Sequence, residues 1–192
     1  MYPYFHSQFG EDYYLKDILP STGVFVDVGA GDPILLSNTY RLECLGWTGI
    51  CIDADYRQIQ ELNKLRKTVE HYAIGCFSGT VNLNRVKSSD LSTTLNHLVS
   101  VEDTIKVSMI PLESILNKYN IEKIDLLSVD TEGTEIDVLD SMDINRHKPT
   151  VIIVEYNTFR RLSNKQSLET YFSSLLYNLI HVTECNLLFQ LK

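Results

Sequence analysis

The stretch Val24-Phe25-Val26-Asp27-Val28-Gly29-Ala30-Gly31-Asp32-Pro33 constrains this chain more than any other. A run of β-branched and aromatic residues, closed by an acid and two glycines, reads as a strand that stops in a tight loop. Glycine there permits positive φ and lets bare backbone approach a ligand, while the amides of the helix that follows face an anionic or nucleotide-like group.

The same unit recurs along the chain. Gly49-Ile50-Cys51-Ile52-Asp53, Ile124-Asp125-Leu126-Leu127-Ser128-Val129-Asp130 and Val151-Ile152-Ile153-Val154-Glu155 are further apolar strands ending in an acid. Helices are expected between them: one begins at Ser37-Asn38-Thr39, and another has Ile59, Leu62, Leu65 and Val69 on one buried face. Two more carry Leu112, Ile115, Leu116 and Tyr119, and Ile136, Leu139 and Met142, and a last one follows the capping box of residues 163–166. Residues 70–74 read as a short third strand, and 179–183 and 187–191 as a closing pair. Val81, Leu83 and Arg85, then Ile105, Val107 and Met109, alternate as half-exposed strands around a Ser/Thr-rich loop at 88–94. Strand and helix in alternation, with continuously apolar strands, mean a mostly parallel sheet covered on both faces. Ligands bind beyond the carboxyl ends of such strands, so Asp27, Asp53, Asp130 and Glu155 should gather along one edge.

Composition bounds the function. A chain of 192 residues is one domain that can bury its own core, and no apolar run is long enough for a membrane span. A net charge of -8 argues against a nucleic-acid partner, and the basic run at 64–67 reads as a solvated helix face. Cys44, Cys51, Cys76 and Cys185 lack metal-ligand spacing and read as reduced thiols; with no secretory leader pattern, the chain reads as soluble and cytoplasmic. Trp47 reads as a packing residue, and His71, His97, His147 and His181 as structural or exposed.

Gly29-Ala30-Gly31-Asp32-Pro33-Ile34 lacks the third glycine of a dinucleotide fingerprint, which argues against an NAD-dependent oxidoreductase. With Asp27 two residues before the first glycine, it resembles the first motif of class I S-adenosylmethionine-dependent methyltransferases. Gln8-Phe9-Gly10-Glu11-Asp12, the glycine loop with Ser37-Asn38-Thr39, Gly46-Trp47-Thr48-Gly49-Ile50-Cys51-Ile52-Asp53 and Asp130-Thr131-Glu132-Gly133-Thr134-Glu135 follow in order. As a set they resemble the FkbM family of methyltransferases. The resemblance implies a Rossmann-like class I fold: a mostly parallel seven-stranded sheet, helices on both faces and an antiparallel C-terminal strand. It also implies a single domain over 1–192, in which residues 1–22 form a helical cap over the cofactor site and 86–106 a substrate loop. S-adenosyl-L-methionine would be held by Gln8, Asp27, Gly29, Ala30, Gly31, Ser37, Asn38, Asp53, Ala54 and Ile74, with Asp53 on the ribose hydroxyls. This chain departs from the family's pattern at Pro33, where a glycine is usual, at Asp53 for glutamate and at Ala54 for proline.

The reaction implied is methyl transfer to a hydroxyl of a sugar or glycan, with another small-molecule acceptor or a non-catalytic cofactor-binding module as alternatives. An alcohol must lose its proton as it attacks, so a carboxylate base with a raised pKa is needed, and Asp130, Glu132 and Glu155 are the candidates. A metal that acidifies the hydroxyl would serve as well: Asp130, Glu155 and Asn157 resemble the trio of catechol O-methyltransferase, whose oxygen ligands would suit magnesium or calcium. Nucleobase amino-methyltransferases carry an Asp/Asn-Pro-Pro-aromatic tetrad where this chain has Asp130-Thr131-Glu132-Gly133, so a flipped base is not expected as substrate.

Overall fold

The computed structural model describes residues 5–86, 92–93, 101–156 and 164–192. The chain opens with a short helix α1 (Glu11–Tyr14) and a 3-10 turn (Leu15–Asp17), then runs through β1 (Val24–Val28), α2 (Tyr40–Cys44), β2 (Thr48–Asp53), α3 (Tyr56–Leu65) and β3 (Val69–His71). Next come β4 (Ala73–Ile74), β5 (Gly79–Val86), β6 (Ser92–Thr93), β7 (Val101–Ile110) and α4 (Leu112–Lys118). The last part holds β8 (Leu126–Val129), α5 (Glu135–Asp140), α6 (Ile144–His147), β9 (Val151–Glu155), α7 (Asn164–Ser173), β10 (Tyr177–Val182) and β11 (Asn186–Leu191).

The main sheet has seven strands in the order β10-β11-β9-β8-β1-β2-β3. β9, β8, β1, β2 and β3 pair in parallel, whereas β11 runs antiparallel to both of its neighbours. The two faces of each strand follow the period of two. Val26, Val28, Ile50, Ile52, Ile152 and Val154 meet α4, α5 and α7, whereas Phe25, Cys51, Val151 and Ile153 meet α2, α3 and the N-terminal segment. Trp47 is buried in that second layer.

Four expectations need correction. The strand read at 70–74 is two: the ladder to β2 ends at the Asp53–His71 rung, where Tyr72 N–H donates to the Asp53 carbonyl, and the chain then leaves the main sheet, so that β3 lies in that sheet and β4 in a second one. The second sheet, β4-β7-β5-β6, is built on the long antiparallel β5–β7 ladder from Gly79–Met109 to Val86–Val101. Of the loop expected at 86–106, residues 101–106 lie in β7 and Ser92–Thr93 pair with β5; 87–91 and 94–100, with His97, lie outside the described residues. The helical face expected from Ile59 to Val69 is shorter. α3 buries Gln58, Ile59 and Leu62 and ends at Leu65, which is 54% exposed, while Val69 belongs to β3.

The basic run at 64–67 is not one solvated face. Arg66 follows the helix in an extended conformation, and this turns its side chain inward to 5% exposure, while Lys64 and Lys67 stay exposed. Ser163 of the expected capping box lies outside the described residues.

Candidate active site

The chain runs from β1 outward through β2 to β3 and then returns to β8 on the other side of β1. This makes the β1/β8 gap the topological switch point of the sheet, where ligands of open α/β sheets bind. Gly29 has φ +78° at the head of that gap, and a Cβ there would sit 1.6 Å from the Asp130 carbonyl oxygen. Its glycine is therefore demanded by the close approach of two strand ends. Gly31, at φ +56°, differs: a Cβ would meet no atom within 4 Å, so the loop presents open space on that side. The amides of Gly29 and Ala30 both donate to the Ile52 carbonyl, which ties the loop to the end of β2.

Asp53 is half-buried at that end, with Oδ2 accepting from Gly31 N–H at 3.0 Å and Oδ1 from Asp55 N–H at 2.7 Å. Burial pushes its carboxyl up to about 6 against the two amides that favour the anion. Each oxygen has a further lone pair, so a vicinal diol could still be met. Asp55, 1% exposed, caps α3 and is clamped by Arg57 and, across from β5, by Arg85 at 2.7 Å. That clamp fixes the second sheet against the end of β2. Ala54 packs on this sheet's apolar cluster.

Asp27 turns the other way. Its side chain lies on the Phe25 face of β1, 4% exposed, and Oδ2 accepts from Thr39 Oγ1 at 2.5 Å. Ser128 of β8 also hydrogen-bonds to it and in turn accepts from Asn38 Nδ2 at 3.1 Å. Burial raises the Asp27 carboxyl, opposed by Arg66 and these hydroxyls. Asn38 thus reaches across the switch point to β8, and Ser37 does the capping of α2, its Oγ accepting from the amides of Thr39 and Tyr40. Among the expected cofactor residues, Gly29, Ala30, Gly31, Ser37, Asn38 and Asp53 meet around this gap. Ile74, at the end of β4, shares a core cluster with Val28, Ile52 and Val129 and, with Met109, Thr134 and Asp137, lines a cavity of about 140 Å3.

The N-terminal segment crosses the same edge. Ser7 bridges Leu36, and Glu11, fully buried, accepts from Asn186 Nδ2 at 2.7 Å and from Thr183 Oγ1 at 3.1 Å. Gln8 lies between these two anchors with its side chain exposed.

Beyond β8 and β9, ligand atoms of Asp130, Glu132 and Glu155 all lie within 4.8 Å of one another. Glu132 is held at φ +57° in a tight turn, and Glu135, at the head of α5, closes that turn by accepting from Gly133 N–H at 2.7 Å. This gives Glu135 a first-turn structural task. Asp130 and Glu155 hydrogen-bond as carboxyls; desolvation chiefly raises both, the shared hydrogen bond pulls Asp130 partly back, and the neighbouring acids push up again, so the pair retains a proton well above the ordinary carboxylate range. Glu155 is 8% exposed, and its Oε2 has no hydrogen-bond partner among the described residues. Glu132 joins Asp130 and Glu155 in this cluster; Asn157, the third member of the expected metal trio, lies outside the described residues.

The model of the methyltransferase FkbM domain family matches residues 27–180. This chain belongs to that family. Curated proteins gave no match. The solved structure of TehB from Haemophilus influenzae superposes with a TM-score of 0.52 at 14% identity, over 95% of this chain and 62% of that one, a likeness of fold. The FkbM chain thus spans less than two thirds of the TehB chain. Its sheet is that of a Rossmann-like class I methyltransferase, with β11 as the antiparallel strand. Among the described residues, no helix is long and apolar enough to cross a membrane.

Two features of the site bear on what residue order can reveal. Arg66 is hidden in a charge run, and only the end of α3 at Leu65 turns it inward. The inward face of Asp27 is legible, since alternation sets it opposite Val26 and Val28 and beside Phe25.

Proposed function

We propose that this FkbM chain is an S-adenosyl-L-methionine-dependent O-methyltransferase acting on a hydroxyl of a sugar or glycan. The observation that carries the reading is the meeting of Asp130, Glu132 and Glu155 at the strand ends beside the glycine loop. The residues fit the cofactor on two counts: open space at Gly31, and a half-buried Asp53 carboxylate facing the loop. When bound, the cofactor supplies a methyl group on a cationic sulfur. The chain's own residues do the rest. Gly29–Gly31 and Asn38 position, and Asp53 accepts from the ribose diol. The Asp130–Glu155 pair would take the acceptor's hydroxyl proton through whichever oxygen is ionised, which the less strongly raised Asp130 suits best. Holding the two reactants in line is worth on the order of 7 to 11 kcal/mol, so much of the rate comes from positioning.

A second reading has Asp130, Glu132 and Glu155 hold magnesium or calcium, which would acidify the hydroxyl. The orphan Glu155 Oε2 favours it, since a cation would supply the missing partner. In either reading the partner is a small molecule or glycan rather than nucleic acid, and the setting is the cytoplasm, which suits four free thiols.

Calorimetric titration with S-adenosyl-L-methionine and with NAD tests the cofactor; absence of heat with the former at millimolar concentration sinks the reading. A panel of monosaccharides with radiolabelled methyl donor tests the acceptor. Activity that survives thorough chelation removes the metal.

A further inference from the structure

Arg66 grips the cofactor loop from behind. Its guanidinium is fully buried and forks to four partners: Glu43 Oε2 at 2.5 Å, Thr39 Oγ1 at 2.8 Å, and, more loosely, the Pro33 carbonyl and Ser37 Oγ, both at 3.4 Å. Its carbon centre also lies 5.5 Å from the Phe25 ring and 5.9 Å from the Tyr40 ring, so aromatic faces hold it on both the strand and the helix side. The remaining Glu43 oxygen accepts from Lys67 N–H at 2.9 Å, which fixes Glu43 in turn.

Each partner leads to the glycine loop or its flanks. Thr39 connects Arg66 to Asp27, two residues before Gly29. Ser37 caps α2, whose first turn follows Asn38. Pro33 is the residue at which this loop departs from its family; its ring removes a backbone donor and fixes φ, yet its carbonyl still accepts from Arg66. Loop segment 29–39 is therefore gripped at three points by one side chain that reaches no ligand itself. Lysine could not replace it, since an ammonium cannot span a planar fork of partners.

We propose that Arg66 is a positioning residue for the cofactor, setting the glycine loop of the methyltransferase site through Thr39, Ser37 and Pro33. The inference rests on the cofactor reading above. Arg66→Lys keeps the buried charge and loses the fork, so the loop slackens while the carboxylates beyond β8 and β9 stay in place. Affinity for the demethylated cofactor, S-adenosyl-L-homocysteine, then falls about tenfold, the weight of one charge-assisted hydrogen bond. The KM for the methyl donor rises in step, and kcat at saturating donor stays within about twofold.

Thr39→Val, nearly the same volume, removes the relay to Asp27 and serves where Arg66→Lys does not fold. The two changes act on one path, so the double variant is no weaker than the worse single one. Glu113→Gln, at the far end of the sheet beside His147, is the stability control: it lowers Tm and leaves affinity unchanged. Variants that lose Tm while binding S-adenosyl-L-homocysteine as the wild type does would overturn the proposal, as would a loss confined to kcat. Wild-type protein that shows no binding overturns instead the cofactor reading on which it rests.

Discussion

Two clusters of acid flank the glycine loop, and they are built on opposite plans. Behind it, Asp27 and Glu43 share Arg66, with hydroxyls of Thr39 and Ser128 completing the set. In front, Asp130 and Glu155 lean on each other beside Glu132, and one buried oxygen is left without a hydrogen bond among the described residues. The first cluster carries its own cation and is architecture. The second concentrates like charge where a proton or a cationic ligand could answer it, which folding alone does not call for.

The two plans predict opposite responses to neutralisation. At the front, Asp130→Asn removes the proton acceptor proposed above, and methyl transfer is expected to fall by about 10² to 10⁴-fold, while cofactor affinity moves only a few fold. Radiometric turnover beside calorimetry reads both; unchanged turnover would end the role given to Asp130. Next in size is Arg66→Met, which strands two buried carboxylates and costs about 3–5 kcal/mol in urea unfolding. Glu155→Gln should move the other way, gaining about 1 kcal/mol as crowded acids are relieved, at the expense of activity. Equal signs for these two would erase the distinction between the clusters.

Between the clusters sit the two glycines. Gly31→Ala costs about 1 kcal/mol for its left-handed backbone and intrudes on the open space, so affinity falls more than stability. Gly29→Ala must push back the Asp130 carbonyl and fails on both measures. The smallest effect is one of pH. Asp53 has its carboxyl raised from 3.8 to about 6 in the folded chain, so the native state holds that proton more tightly than the unfolded one. This contribution to stability is present below pH 4, is lost as pH rises to about 6, and is flat beyond. In the role proposed for Asp53, cofactor affinity runs the other way, since a ribose diol would need the anion: it is expected to fall as pH drops below about 6. A titration series from pH 5 to 7.5 should show that fall in the wild type and its absence in Asp53→Asn.

The edge on which the site lies is legible because apolar strands closed by acids repeat along the chain, and each acid marks a carboxyl end. The direction in which each acid faces is open to the same parity that separates Val26 from Phe25. Arg66 and Leu65 defeat the pattern for a local reason: helical periodicity continues in the residue order past the point where α3 stops, and one extended residue reverses which side chains are buried. The second sheet is hidden for a non-local one. β5 and β7 alternate as expected, but their pairing with each other and with β4, apart from the main sheet, is a matter of register between distant segments. Glu132 is named among the acids by the Asp130-Thr131-Glu132-Gly133 block, but the positive φ of its turn is announced by no pattern of residue types.

The anchoring of Glu11 has a kinetic side. Its carboxylate is satisfied by Thr183 and Asn186, 172 and 175 residues away, at the start of the last strand. A buried acid so placed waits for these partners until the final hairpin has docked, and contacts of such long sequence separation form late. The segment that bridges Leu36, far from these partners in the sequence, is therefore expected to order last. Until β11 seats beside β9, Glu11 lacks both of these anchors.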